Sequence, residues 1–289
     1  MSGLPLTLAL REPIEPALAR LREGSGAQCL SDHAFSNLYL FRAAHDYRFH
    51  PGDWPCVSGR AYDGTRHLMP LFALQAAPPD VLRGLLAGHD CLYPIPQSQA
   101  AGLCASQFRH WSSPDDADYL FDARQFADFP GRALAKKRNQ VRQLLARCTP
   151  RCVPFDADTA GAARQVLQGW MAQKGRSRGD ADESACLEAI ADAAAFGLEG
   201  FVHFDGSQPL GFVLAQELQP GVFAMRFAKG LDSHVGIYPY MFQHFCRSFA
   251  RPVDWLNFEQ DMGLAGFRRS KRSYGPAALI SKLRVALRD

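Results

Sequence analysis

The order of elements in the second half of the chain restricts the fold most. Apolar residues at helical spacing predict helices over residues 160–174 and 183–196, with Asp158 or Thr159 placed to cap the first. A strand over 152–155 precedes them, and the Gly-, Ser- and charge-rich residues 175–182 between them read as a loop. Three strand-like runs follow, over 199–204, 209–217 and 222–229, with turns at Asp205-Gly206 and Pro220-Gly221. A helix over 236–249, a strand over 253–258, a short helix over 264–272 and a strand over 277–285 complete the order. The fold class is therefore α/β (α+β), with a mixed, mostly antiparallel sheet flanked by helices.

The first half reads the same way with weaker punctuation. Ser31-Asp32-His33 offers cap chemistry ahead of a helix over 34–41, and Gly64 sits in the turn of a hairpin formed by 57–62 and 67–74. Further short strands are expected at 91–95, 108–111 and 119–121, with a short helix over 81–87. Residues 131–148 form a boundary helix whose apolar stripe is Leu134, Val141, Leu145 and Cys148. With 289 residues and about 150 per domain, two domains are expected, over 1–148 and 149–289.

Charge is distributed unevenly. Net charge is only +3, yet residues 131–147 hold six Lys/Arg and no acid, and residues 264–288 hold seven and no acid. That pattern suits a surface that meets an anion, and also suits two solvated helix faces. Eight cysteines are scattered without a CxxC pair, and no histidine follows Cys148 and Cys152 at zinc-finger spacing. Free thiols serving as small apolar residues are expected, and no metal site. No signal peptide and no apolar run of roughly 18 residues is present, so a cytoplasmic protein without an integral membrane segment is expected. No nucleophile elbow or Walker loop supports a hydrolase or NTPase.

Three segments carry a resemblance. Residues 35–42, FSNLYLFR, residues 131–139, GRALAKKRN, and residues 257–276, NFEQDMGLAGFRRSKRSYGP, follow in the same order the motifs of one family. The chain resembles the C-terminal unit of the phosphatidylglycerol lysyltransferases (DUF2156), and the resemblance spans residues 35 to 276. It implies two GCN5-related acyltransferase-like domains in tandem, the arrangement of the Fem aminoacyltransferases. In that fold the strands flanking the long helix splay apart and admit an acyl donor, whose phosphates face the helix start. The family's lysyl-phosphatidylglycerol synthases carry a large membrane domain ahead of this unit, and this sequence shows none.

The implied function is aminoacyl transfer, with aminoacyl-tRNA as donor and an amine or hydroxyl of a lipid, peptide or small molecule as acceptor. Such chemistry must hold the donor's phosphates, stabilise charge on the carbonyl oxygen and remove a proton from the acceptor. Lys271, with Tyr274 and Gly275, matches the Lys-x-x-aromatic-Gly ending of the Fem enzymes, which implies oxyanion or phosphate stabilisation. Glu259 and Asp261 alternate at a strand end, and as general base or amine-binding groups they would face one side, with Asn257 orienting them. Asp261 is equally suited to cap the next helix. Arg268, Arg269 and Tyr274 are candidates for substrate binding, and Tyr238 for donating a proton to the leaving group. Arg132, Lys136, Lys137, Arg138 and Arg142 are candidates for phosphate or tRNA contacts. The acetyl-CoA loop of this fold is reduced here to Gly236 at a helix start, followed by Ile237 and Tyr238. Gly236 remains a candidate anion site. An acyl-CoA-dependent N-acyltransferase and a non-catalytic anion- or RNA-binding protein are the alternative readings.

Overall fold

Short strands organise the chain into two seven-stranded sheets among residues 3–177 and 182–288, which the computed structural model describes. The first sheet runs in the order Leu4–Pro5, Arg48–His50, Cys56–Arg60, Arg66–Pro70, Cys91–Pro96, Lys282–Leu287, Phe108–Ser112. Its pairs are antiparallel except Arg66–Pro70 beside Cys91–Pro96. The second runs Ala278–Ile280, Asp118–Asp122, Trp255–Asn257, Val222–Gly230, Gln208–Gln219, Leu198–Asp205, Arg151–Pro154. It too has a parallel pair, Val222–Gly230 beside Trp255–Asn257, and the long helix Ile237–Ser248 forms that crossover. The expected α/β class and mostly antiparallel sheets are what the chain adopts.

By packing, one compact unit comprises Met1–Asp118, Gln260–Ala265 and Leu279–Asp289, and the other Tyr119–Glu259 and Gly266–Ala278. This differs from a single division at residue 148. Strand Asp118–Asp122 pairs with Trp255–Asn257, so the second sheet recruits chain from before the expected boundary. The strand expected over 277–285 breaks at Ser281 into two. Ala278–Ile280 joins the second sheet, while Lys282–Leu287 inserts between Cys91–Pro96 and Phe108–Ser112 of the first. Apolar alternation marks a strand but not its distant partner.

The basic helix is shorter than expected, Ala135–Leu145, and buries Val141 and Leu144. Leu145 is exposed, so the stripe is Leu134, Val141 and Leu144. A helix, Arg11–Arg22, precedes the first of the three family-like segments. Pro13 occupies its first turn, where a missing N–H costs no helical bond. Ser31, Asp32 and His33 are buried, and the helix Phe35–Leu40 starts instead from Ala34, without a side-chain cap. Glu15 accepts the Phe35 N–H at 2.8 Å. The loop expected over 175–182 lies partly outside the described residues. All eight cysteines are free, but only Cys29, Cys56, Cys91 and Cys186 are buried.

Candidate active site in the second unit

The parallel pair opens almost as soon as it forms. Only Val222, Phe223 and Ala224 face partners, namely Trp255, Leu256 and Asn257, while the longer strand continues to Gly230. Beyond Ala224 its edge diverges from the chain that follows Asn257. Arg226 lies in the opened stretch with its side chain fully buried, and its guanidinium donates to Glu259 Oε1 at 2.5 Å. Gln216 Oε1, on the neighbouring strand, accepts from Arg226 Nη2 at 3.0 Å and Nε at 3.3 Å. A buried guanidinium needs such partners, because an isolated charge there is costly.

Glu259 is held from three directions. Asn257, buried on the last paired position, accepts the Glu259 N–H through Oδ1 at 2.7 Å. The Glu259 carbonyl accepts from Lys271 Nζ at 3.1 Å and from the Tyr119 N–H at 3.3 Å. Its backbone is left-handed, φ 58°, a conformation that a non-glycine residue keeps only when surroundings impose it. Its side chain is 23% exposed, so the carboxylate is anchored yet reachable. Lys271 is half-buried on helix Ala265–Arg272, with Nζ 5.7 Å from the Tyr119 ring and 5.9 Å from the Phe267 ring. The same helix exposes Arg269 and Phe267, while Arg268 is half-buried.

Asn257, Glu259 and Lys271 are thus brought together, and Arg226 joins them. Nothing in the sequence reading had named Arg226. Its signal was a lone arginine amid the apolar run Val222-Phe223-Ala224-Met225-Arg226-Phe227-Ala228, a charge that would need a partner if the strand were buried.

Other candidates divide. Strand Trp255–Asn257 ends before Glu259, and the left-handed backbone there removes the strand alternation on which the expected pairing of Asp261 with Glu259 relied. Asp261 belongs to the first unit, is buried, and accepts the Gly263 N–H at 2.9 Å in the turn before helix Ala265–Arg272. Tyr274 is a core residue rather than a surface ligand. It stacks 5.4 Å from the Phe126 ring, and burial pushes its pKa well above the ordinary value. Tyr238 belongs with the far end of strand Val222–Gly230. Burial raises its pKa, while hydrogen bonds with the Gly230 backbone and Trp170 oppose this. Gly230 is four residues, or about 13 Å of strand, beyond Arg226. Gly236 has φ 98°, and a Cβ there would lie 2.1 Å from the Gln140 carbonyl oxygen. Close approach of the helix Ala135–Leu145 is a sufficient reason for that glycine.

The basic helix divides its charges. Arg132, Lys136 and Arg142 are exposed. Lys137 lays its ammonium 3.7 Å from the Tyr274 ring centroid, and burial, aided by Lys136, lowers its pKa to about 8. Arg138 donates to the carbonyls of Gly131, at 2.9 Å, and Phe129. The second basic segment divides as well. Lys282, in the first unit, is fully buried between Asp32 at 2.5 Å and Asp118 at 2.7 Å. Burial opposes its charge, but the two carboxylates outweigh it and raise its pKa. Arg284 is buried against Asp116 at 3.0 Å and Asp63 at 2.6 Å.

Residues 27–285 match the family described as phosphatidylglycerol lysyltransferase, C-terminal. No curated protein matches the chain by sequence. Among solved structures, a conserved protein of unknown function from Bacteroides thetaiotaomicron superposes with a TM-score of 0.81 at 21% identity, covering 100% of each chain. L-PGS from Bacillus licheniformis superposes with a TM-score of 0.60 at 15% identity, over 99% of this chain and 93% of its own. FemX superposes with a TM-score of 0.57 at 9% identity, over 100% and 98%. At such identities these structures share the fold. No helix among the described residues is long and apolar enough to cross a membrane.

Proposed function

Because the chain belongs to the phosphatidylglycerol lysyltransferase C-terminal family, we propose that it transfers an aminoacyl group from aminoacyl-tRNA to a hydroxyl or amine acceptor, at the opening between strands Val222–Gly230 and Trp255–Asn257. The observation that carries this reading is the Arg226–Glu259–Lys271 arrangement: an anchored carboxylate and an ammonium share one strained residue. The family description supports a lipid hydroxyl as acceptor and a lysyl group as cargo.

The acceptor's oxygen or nitrogen attacks the ester carbonyl carbon of the donor. Negative charge moves onto the carbonyl oxygen, and collapse of the tetrahedral intermediate expels the tRNA ribose oxygen, which takes a proton. Glu259 serves as the carboxylate that receives the acceptor's proton or holds an ammonium of the aminoacyl group. Arg226 keeps that carboxylate in place and favours its ionised form. Lys271, whose ammonium donates to the Glu259 carbonyl, brings positive charge to the developing oxyanion. Asn257 fixes the Glu259 backbone and acts through it. The exposed Arg132, Lys136 and Arg142 serve tRNA phosphates.

An acyl-CoA donor is the second reading. The packing of the Gln140 carbonyl against Gly236 weighs against a phosphate cradle at that point. The test is turnover of a panel of charged tRNAs at low salt, with phosphatidylglycerol vesicles, free amines and short peptides offered as acceptors. Consumption of one aminoacyl-tRNA, dependent on acceptor and lost in Lys271→Met, is the expected result. No turnover of any donor by the folded protein overturns the reading, and saturable acetyl-CoA binding would move it to the alternative.

A further inference from the structure

A second cluster of chemically capable groups lies at one edge of the same sheet. Cys152 sits on the edge strand Arg151–Pro154, and its cross-strand partner is His203 on Leu198–Asp205. Directly opposed residues of an antiparallel pair point to one face. The helix Ile237–Ser248 covers that face and presents Tyr240 and His244, one turn apart on one side. The His203 and His244 rings lie 5.2 Å apart, and Cys152 Sγ lies 3.4 Å from the Tyr240 hydroxyl.

One donor atom from each of Cys152, His203 and His244 lies within 4.8 Å of the other two. Ligand atoms sharing one tetrahedral zinc ion stand about 3.5 Å apart, so small side-chain rotations close the set. His203 is fully buried, and neither of its ring nitrogens has a hydrogen-bond partner among the described residues. Buried His244 Nδ1 also lacks one. Buried polar atoms are almost always satisfied, so an orphaned nitrogen on each of two neighbouring rings calls for an absent partner, which could take one nitrogen from each. The Gly211 backbone lies near His203 without the geometry of a hydrogen bond.

We propose that Cys152, His203 and His244 form a site for a borderline-soft divalent cation of the zinc class, with the fourth position beside the Tyr240 hydroxyl. One thiolate and two imidazoles suit zinc and copper and are poor ligands for magnesium or calcium. The ion would tie an edge strand, its neighbour and the covering helix at one point, with two strands between it and Trp255–Asn257. Spacing in sequence could not show this, because the ligands come from positions 152, 203 and 244.

Cobalt is the probe. Metal-stripped wild-type protein, titrated with Co²⁺, is expected to bind one ion per chain. A thiolate-to-cobalt charge-transfer band should appear and be displaced by Zn²⁺. Cys152→Ser should abolish that band, His244→Ala should abolish stoichiometric binding, and zinc should raise the thermal midpoint of wild type but of neither variant. Far-UV circular dichroism of the stripped variants checks their fold. If they do not fold, zinc protection of Cys152 against alkylation in wild type, mapped by mass spectrometry, decides. Absence of the band, persistence of the band in Cys152→Ser, or alkylation of Cys152 unaffected by zinc would each overturn the site.

Discussion

At the scale of single residues, the proposed site divides into groups that would hold it, Arg226 among them, and groups that would offer chemistry. Replacing Arg226 with Met removes its ion pair with Glu259 and its hydrogen bonds to Gln216. We expect Arg226→Met to lower stability by about 2 kcal/mol and to impair transfer. Lys271→Met should leave stability within about 1 kcal/mol, since Lys271 is half-buried, while abolishing transfer. Denaturant unfolding and turnover, measured on both variants, distinguish the two roles. Equal losses of stability would show that Lys271 is a structural lysine. Much of this was readable in residues 257–276, whose spacing of Asn257, Glu259 and Lys271 survived into one cluster. Arg226 was not readable as a partner, because a strand's charge finds its counterion only through sheet pairing.

The elements carry a different set of expectations. Helix Ala135–Leu145 approaches the start of helix Ile237–Ser248 closely enough that Gly236 admits no side chain. Gly236→Ala combines a positive φ with a collision against backbone, so a loss of at least about 2 kcal/mol is expected in urea unfolding. A stability change below 0.5 kcal/mol would mean that the two helices separate freely. The exposed charges on and just before the same basic helix should behave oppositely. Combined substitution of Arg132, Lys136 and Arg142 by Glu should leave stability within about 1 kcal/mol and weaken tRNA binding. The slope of log affinity against log salt should fall by roughly two to three units. Filter binding at several salt concentrations measures it, and an unchanged slope would remove this helix from the tRNA surface. Its amphipathic period was legible in sequence. That Lys137 lies over Tyr274 and Arg138 binds carbonyls was not, because basic residues at helical spacing look alike whether they meet solvent or protein.

For the molecule as a whole, buried ionisable groups set the response to pH. Burial lowers the pKa of His33 and of His67, each to about 4, in the first unit. Unfolded, both would titrate near 6.5, so the unfolded chain takes up protons first as pH falls. Their contribution to stability is therefore intact above about pH 6.5 and is lost progressively as pH falls toward 4, by a few kcal/mol in total. Urea midpoints measured between pH 7 and 4.5 should drop, and His67→Gln should flatten the profile; a profile identical to wild type would show that His67 does not contribute. Lys282→Met should be costly at neutral pH, about 3–5 kcal/mol, because it removes the buried ammonium that pairs with both Asp32 and Asp118. The sequence by itself determined the α/β class, most of the helices and strands, the three motifs of the family and the residues Asn257, Glu259 and Lys271. Those properties are local: periodicity, turn chemistry and short spacings survive folding unchanged. Tertiary structure alone decided where the units divide and which sheet receives each half of residues 278–287. It also decided which lysines and arginines are internal, and that Cys152, His203 and His244 meet. Each of these depends on pairing between distant segments, and neither periodicity nor composition encodes which strand edge or which counterion lies across the gap.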